Sequence, residues 1–252
     1  SSMSAKEVSQ VVGVNFYDIF KPNNKWQEMI AQLEQRLANG ENPRDIFGWV
    51  GLFREGFAKV RLGKKYNFIN QERQLLSDRW YDWAENFKNG FAAVELNGKW
   101  NFINQENQLI SDRCYDVVGN FEEGFAAVML GGKWRFINQK GQPINNQWYD
   151  EVYNFKNGFA VIKLNGKYNF INQTGQPIND QWYDEIYDFN EGFARVKLDG
   201  KYSFINQKGQ PINDQWYDEV YDFNEGFAKV RLGNKYSFIN QKGQPINDQW
   251  YD

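Results

Sequence analysis

The chain has no histidine among its 252 residues, which removes the commonest general base and a common zinc ligand together. It has one cysteine, Cys114, so an internal disulfide is excluded. No apolar run approaches the roughly 20 residues that a membrane-spanning helix needs, and no membrane insertion is expected. Basic charge is not in excess either. A formal net charge of −3 argues against nucleic acid as the main partner, since phosphate binding needs a clustered basic surface, a local basic stripe being the alternative. No cofactor fingerprint and no Asp-x-Asp-x-Asp-Gly calcium loop is present, and no cofactor or metal is expected. The N-terminus shows no signal-peptide pattern; Ser1-Ser2-Met3 reads as a cloning remnant, with the native start at Met3 or trimmed away. The compartment stays open.

What the chain does have is aromatic residues, 18% of the total, and a repeat. Gly-Phe-Ala begins at Gly56, Gly90, Gly124, Gly158, Gly192 and Gly226, a constant period of 34 residues. Phe-Ile-Asn-Gln begins at Phe68, Phe102, Phe136, Phe170, Phe204 and Phe238, and Tyr-Asp at Tyr81, Tyr115, Tyr149, Tyr183, Tyr217 and Tyr251. A fixed period of this size means modules that bury a core only against their neighbours.

Within the fifth copy, Phe193 to Leu198 alternates, with Ala194, Val196 and Leu198 on one face and Phe193, Arg195 and Lys197 on the other. Asp199-Gly200 predicts a type I′ hairpin turn into a second strand, Lys201 to Asn206. Gln207-Lys208-Gly209-Gln210 predicts a second turn that uses positive φ at Gly209, and Pro211-Ile212 is at most a short strand. Trp216 to Phe223 reads as a third full strand, with Tyr217, Tyr221 and Phe223 on one face. Comparison among copies separates core from surface. The position of Val196 is always Val or Ile and reads as core. The position of Arg195 holds Lys59, Ala93, Ala127, Val161, Arg195 and Lys229, and that of Lys197 varies from Arg61 to Glu95 to Met129; both read as solvent-facing. Copies one and two lack the second-turn glycine, as expected near a capped end.

Phe223, Glu225, Gly226, Ala228, Val230, Lys235, Tyr236, Phe238, Ile239, Asn240 and Gly243 follow in order the pattern of the bacterial WG repeat family, which this chain resembles. Trp100 and Trp134 keep the family tryptophan, which Tyr66, Tyr168, Tyr202 and Tyr236 replace. The glycine after it is absent, being Asn67, Asn101, Arg135, Asn169, Ser203 and Ser237. The resemblance implies a β-rich repeat array without catalytic residues to carry over. The expected fold is all-β, six 34-residue antiparallel meanders in an open solenoid-like array, preceded by a short helical segment. The alternative is a closed six-bladed propeller, in which Trp49 to Phe53 would complete the last module. The expected domains are a helical cap over 1–45 and the repeat domain over 46–252. In the first, Trp26, Met29, Ile30, Leu33 and Leu37 share a helical face, with Asn24 as N-cap and Gly40 at the C-terminal end. Val8, Val11, Val12, Phe16 and Ile19 suggest an earlier helix.

Three sets of residues recur as candidates. The repeated aspartates, from Asp82 to Asp252, are read as acceptors of turn N–H groups or partners of Lys65, Lys99, Lys133, Lys167, Lys201 and Lys235. Asn70 and its equivalents are read as caps of the second turn or a ladder. Cys114, standing in a tryptophan position, is read as an apolar filler. The ligand-binding candidates are Trp80, Trp148, Tyr149, Trp182, Tyr183, Trp216 and Tyr217, with the Trp250-Tyr251 pair in register. Regularly spaced rings stack on sugars or anchor protein side chains where they are exposed, and inter-module packing is their structural use. The expected function is a noncatalytic scaffold that binds protein or peptide, with glycan or cell-wall binding as the alternative.

Overall fold

The computed structural model describes residues 24–247 and 249–251. The earlier helix expected around Val8 to Ile19, the side chains of Asn24 and Trp26, and Asp252 lie outside the described residues. The chain forms two compact units, Ser1–Trp148 and Tyr149–Asp252. Among the described residues, no helix is long and apolar enough to cross a membrane.

In the first unit the described residues open with helix α1 (Asn24–Ala38), whose residues Ile30, Leu33 and Leu37 recur at helical spacing and are all buried. Gly40 takes a φ of 83° and ends the helix, with its N–H donating to the Leu37 carbonyl at 3.0 Å. A single turn, α2 (Pro43–Ile46), follows, capped by Asn42, whose side chain accepts the Arg44 N–H at 3.0 Å. The apolar stripe of α1 joins Phe47, Ala58, Val60, Ile69 and Trp80 in one core, so the helix covers the first repeat.

Three antiparallel sheets follow in this unit. The first is β1 (Trp49–Arg54), β2 (Phe57–Leu62) and β3 (Lys65–Asn70). The second is β4 (Trp83–Ala84), β5 (Phe91–Leu96) and β6 (Lys99–Asn104), and the third is β7 (Val117–Glu122), β8 (Phe125–Leu130) and β9 (Lys133–Asn138). The second unit holds β10 (Glu151–Val152), β11 (Phe159–Leu164) and β12 (Lys167–Asn172), then β13 (Glu185–Ile186), β14 (Phe193–Leu198) and β15 (Lys201–Asn206). Its last sheet is β16 (Glu219–Val220), β17 (Phe227–Leu232) and β18 (Lys235–Asn240). All six are open three-stranded meanders, and β1 pairs with β2 as the first strand of its own sheet. The chain is thus an all-β repeat with a helical N-terminal segment, as the sequence predicts.

The hairpin turns behave as expected. Asp199 and Gly200 have φ values of 48° and 80°, the signs a type I′ turn requires, and Gly209 has 73°. The expected third strand does not hold as one piece. Tyr217 exchanges two backbone bonds of 2.8 Å with Tyr202, the strand behind it. One residue later the Asp218 N–H bonds the Arg231 carbonyl at 2.9 Å, and Glu219–Val220 pairs with β17 ahead. The segment therefore passes from one sheet to the next between Tyr217 and Asp218. Tyr217 and Phe223 are buried whereas Tyr221 is exposed, so the three do not share a face as predicted.

Ala58, Val60, Ala194, Val196, Ala228 and Val230 are fully buried, as the pattern requires. The opposite face is the correction. Lys59, Ala93 and Ala127 are buried, and Val161, Arg195, Lys229 and Lys197 are half-buried rather than solvent-facing. The reason is sheet-on-sheet packing within each unit: Phe204 of β15 meets Phe223 beside β16 with ring centroids 4.9 Å apart, and Phe68 meets Phe87 in the same way.

The second-turn glycine also answers to the preceding copy. A Cβ at Gly209 would lie 2.4 Å from the Ile178 carbonyl oxygen. Copies one and two keep positive φ there with a side chain: Arg73 follows the helical segment and donates to the Gly40 carbonyl at 3.0 Å, and Asn107 accepts the Tyr81 hydroxyl of the preceding copy at 3.1 Å. Gly209→Ala should therefore destabilise by about 2–4 kcal/mol, from backbone strain plus the clash. Gly200→Ala, with open space around its Cβ, should cost only about 1–2 kcal/mol of left-handed strain. Urea midpoints of the two variants check this; equal losses would overturn the steric account.

Candidate functional site

The recurring aspartates serve the fold. In copies where the contacts are described, one carboxylate oxygen meets the hairpin lysine and the other accepts a backbone N–H of the neighbouring hairpin. Lys65 reaches Asp82 and Lys99 reaches Asp116 at 2.5 Å, and Lys167 bonds Asp184 and Lys201 bonds Asp218. The second oxygens accept from Asn97 (2.7 Å), Gly131 (2.8 Å), Asp199 (2.8 Å) and Gly233 (2.6 Å). Both structural roles read from the sequence operate at once. The asparagines cap the second turn and do not form a ladder: Asn206 Oδ1 accepts the N–H groups of Lys208 at 2.9 Å and Gln210 at 3.0 Å. Cys114 is half-buried and packs beside the core around Phe68 and Tyr81, where burial pushes its thiol up.

The predicted ligand-binding rings divide. Tyr149, Tyr183 and Tyr217 are 3% exposed and Trp80 is fully buried, so these four are core rather than surface. Tyr183 and Tyr217 keep their hydroxyls satisfied by Asn179 and Asn213, at 3.0 and 3.1 Å. They are buried because the Tyr residue is the hinge between two sheets. Trp148, Trp182 and Trp216 are half-buried. Trp148 lies under the Arg135 guanidinium at 4.3 Å, and Trp216 lines a cavity of about 530 Å³ with Asn179, Gln181, Ser203 and Asp214.

Another row of residues is the better candidate. In the second unit, register places Glu151, Lys163 and Tyr168 side by side across one sheet, then Glu185, Lys197 and Tyr202, then Glu219, Arg231 and Tyr236. The basic member bonds the glutamate at 2.8, 2.7 and 3.0 Å in turn. A tyrosine two residues beyond each glutamate (Tyr153, Tyr187 and Tyr221) directs its hydroxyl at the same carboxylate, at 3.4, 2.7 and 2.9 Å. The Lys197 ammonium and the Tyr187 hydroxyl together hold the Glu185 carboxyl below its ordinary range. In the first unit the corresponding rows are Trp49, Arg61 and Tyr66; Trp83, Glu95 and Trp100; and Val117, Met129 and Trp134. There the Lys59 ammonium sits 5.8, 5.5 and 5.1 Å from the rings of Trp49, Tyr66 and Trp83 and donates to the Ala84 carbonyl at 2.7 Å. Burial pushes its pKa down.

A groove of about 770 Å³ opens along this row in the second unit. Tyr153, Val161 and Tyr168 form one wall, and Ile186, Tyr187 and Phe189 of the next copy form the other. Its polar edge carries two ion pairs, Lys156 to Asp188 at 2.8 Å and Arg195 to Asp222 at 2.6 Å. Sequence reasoning missed this row because it followed the Trp-Tyr pairs; the usable signal was Glu-x-Tyr recurring with a basic residue at constant separation.

A family model described as a WG containing repeat matches residues 46–66, 68–100, 102–134, 134–168, 170–202 and 202–236. The chain belongs to the WG-repeat family. The residues that replace the WG glycine are buried: Asn67, Asn101 and Asn169 are 0% exposed and Ser203 and Ser237 1%. Asn169 shows why a polar side chain is tolerated there, donating to the Asn179 carbonyl at 2.9 Å and accepting from the Phe170 N–H at 2.7 Å. None of the curated proteins searched matches the chain. Solved structures similar to it include Kluyveromyces lactis Hsv2p, at 11% identity and a TM-score of 0.36, covering 79% of this chain and 75% of that one. A eukaryotic initiation factor aligns at 11% identity and a TM-score of 0.38 over 76% and 62% of the two chains. PorZ of Porphyromonas gingivalis aligns at 9% and 0.33 over 78% and 32%. At these TM-scores none of the three carries an argument.

The aspartate locks give the WG repeats a defined acid response. Lys167 and Lys201 hold the Asp184 and Asp218 carboxyls below the ordinary range. A depressed folded-state pKa means that the stabilisation is complete above the unfolded value and is lost as pH falls through the folded one. The urea midpoint should therefore stay level near neutrality and fall below about pH 4. Asp218→Asn should lower the midpoint at pH 7 and flatten the acid fall. An unchanged midpoint would show that this lock contributes nothing.

Proposed function

We propose that this chain is a noncatalytic scaffold whose WG repeats hold an extended protein or peptide segment along the groove between Tyr153 and Tyr187. The groove itself carries the reading: about 770 Å³, walled by apolar and aromatic side chains and edged by the ion pairs of Lys156 and Arg195. Aromatic anchors beside fixed polar groups are the composition of peptide-recognition surfaces. The charges around it are already paired within the fold, which suits orientation of a ligand better than proton transfer to one.

A second reading rests on the other cavity. Trp216 beside Asn179, Gln181 and Asp214 offers a stacking ring with amide and carboxylate partners, the chemistry of sugar recognition. Titration of synthetic peptides drawn from a random display library, against the full chain and Tyr153→Ala, separates the two. The scaffold reading expects a peptide whose affinity falls about tenfold or more in the variant, the loss of one aromatic anchor. Binders indifferent to Tyr153, or no binders beside tryptophan quenching by oligosaccharides, would overturn it. Turnover on a broad substrate panel would overturn the noncatalytic part.

A further inference from the structure

The six copies differ at one place in a way that identifies a ligand class. Counting each three-stranded sheet as one copy, in copy six the Lys229 ammonium stands 5.3 Å from the Tyr221 ring centroid and 3.9 Å from that of Tyr236. In copy five, the Arg195 guanidinium lies 4.2 Å from the Tyr187 ring. In copy one, Lys59 occupies the same register among Trp49, Tyr66 and Trp83. A cation over aromatic faces is thus what this face of a sheet takes wherever the chain supplies one at that position.

Copy four keeps the rings and lacks the cation. Tyr153 and Tyr168 correspond to Tyr221 and Tyr236, but the position of Lys229 is Val161. Tyr168 retains the Lys163 ammonium at 5.2 Å, as Tyr202 retains Lys197 at 5.0 Å. Among the described residues, no basic group stands over Tyr153, which is 53% exposed. Copies two and three also lack the cation, with Ala93 and Ala127, but they have Glu85 and Gly119 where copy four has Tyr153. Copy four alone combines both rings with a short neutral side chain, and the groove opens over Val161. Its edge also carries Glu185, Asp188 and Asp222. Each holds one cation of the chain, and each carboxylate has further lone pairs for a second.

We infer that the space over Val161, between Tyr153 and Tyr168, receives a lysine or arginine side chain from a bound protein segment, in the place that Lys229 and Arg195 fill from within the chain. This rests on the scaffold reading for its source, a protein, but not for the cation site itself.

The test is NMR titration of the full chain, with labelled tyrosine rings, by Nα-acetyl-lysine N-methylamide and its arginine analogue. The neutral isostere Nα-acetyl-norleucine N-methylamide is the control. The expected result is saturable shifts at Tyr153 and Tyr168 with a basic probe and not with norleucine. Val161→Lys, which builds in the side chain that copies one and six already accommodate, should weaken that binding about tenfold or more. Val161→Ala should retain it. Equal shifts from norleucine, shifts confined to other tyrosines, or full binding by a folded Val161→Lys chain would each overturn the inference. Probe binding needs no protein partner. Cation shifts at Tyr153 with an empty peptide screen would sink the scaffold reading alone, and peptide binding indifferent to Val161→Lys would sink this inference alone.

Discussion

The step from Tyr217 to Asp218, with its counterparts in other copies, holds the repeat together. The tyrosine closes two backbone bonds with the sheet behind, and the aspartate opens the ladder with the sheet ahead. Between them, one peptide unit changes sheets. A single extended segment cannot serve two sheets unless both pairings are held, so each is reinforced. The tyrosine ring is buried in the intersheet core, and the aspartate carboxylate ties the hairpin lysine to the next hairpin's backbone. This coupling makes each module's stability depend on its neighbour, which is the physical content of a repeat too small to bury its own core.

That arrangement determines which residues reach the surface. Both faces of an inner sheet meet a neighbour within the unit, so strand alternation does not sort residues into core and solvent as it would in a one-sided sheet. On the inner face Ala194 and Val196 are fully buried. The other face is wedge-shaped in its packing: closed by phenylalanine at Phe204, partly open at Tyr202. Long basic side chains fit that gap, burying their stems and setting their charged ends over rings. Lys59 and Arg195 share this solution, and Lys229 sets its charge over the rings of its own sheet. Internal repetition makes the chain its own substitution series, in which Val161 is the variant with the cation removed.

The first copies show the same logic at an end. Arg73 replaces the turn glycine where the preceding neighbour is a helix C-terminus, and Trp80 is wholly buried where its equivalents are half-buried. Helix α1 supplies the apolar face that another module would otherwise supply.

Much of this was legible in the residues alone. The period, the hairpin turns at Asp199-Gly200, the inner valines, the buried stripe of the helix and the capping role of the asparagines follow from local spacing and backbone preference. Tertiary structure decided what local pattern leaves open. The Trp-Tyr pairs were attractive as surface rings because adjacent residues on a strand face opposite ways. Tyr149, Tyr183 and Tyr217 are nevertheless buried, and at Tyr183 and Tyr217 the strand changes partners. The positions of Arg195 and Lys197 vary as exposed ones do, yet both side chains are half-buried, set over the Tyr187 and Tyr202 rings of their own sheet. Spacing within one chain segment reports on its own strand. The groove over Val161 is made by two sheets, and its walls come together only once those sheets are stacked.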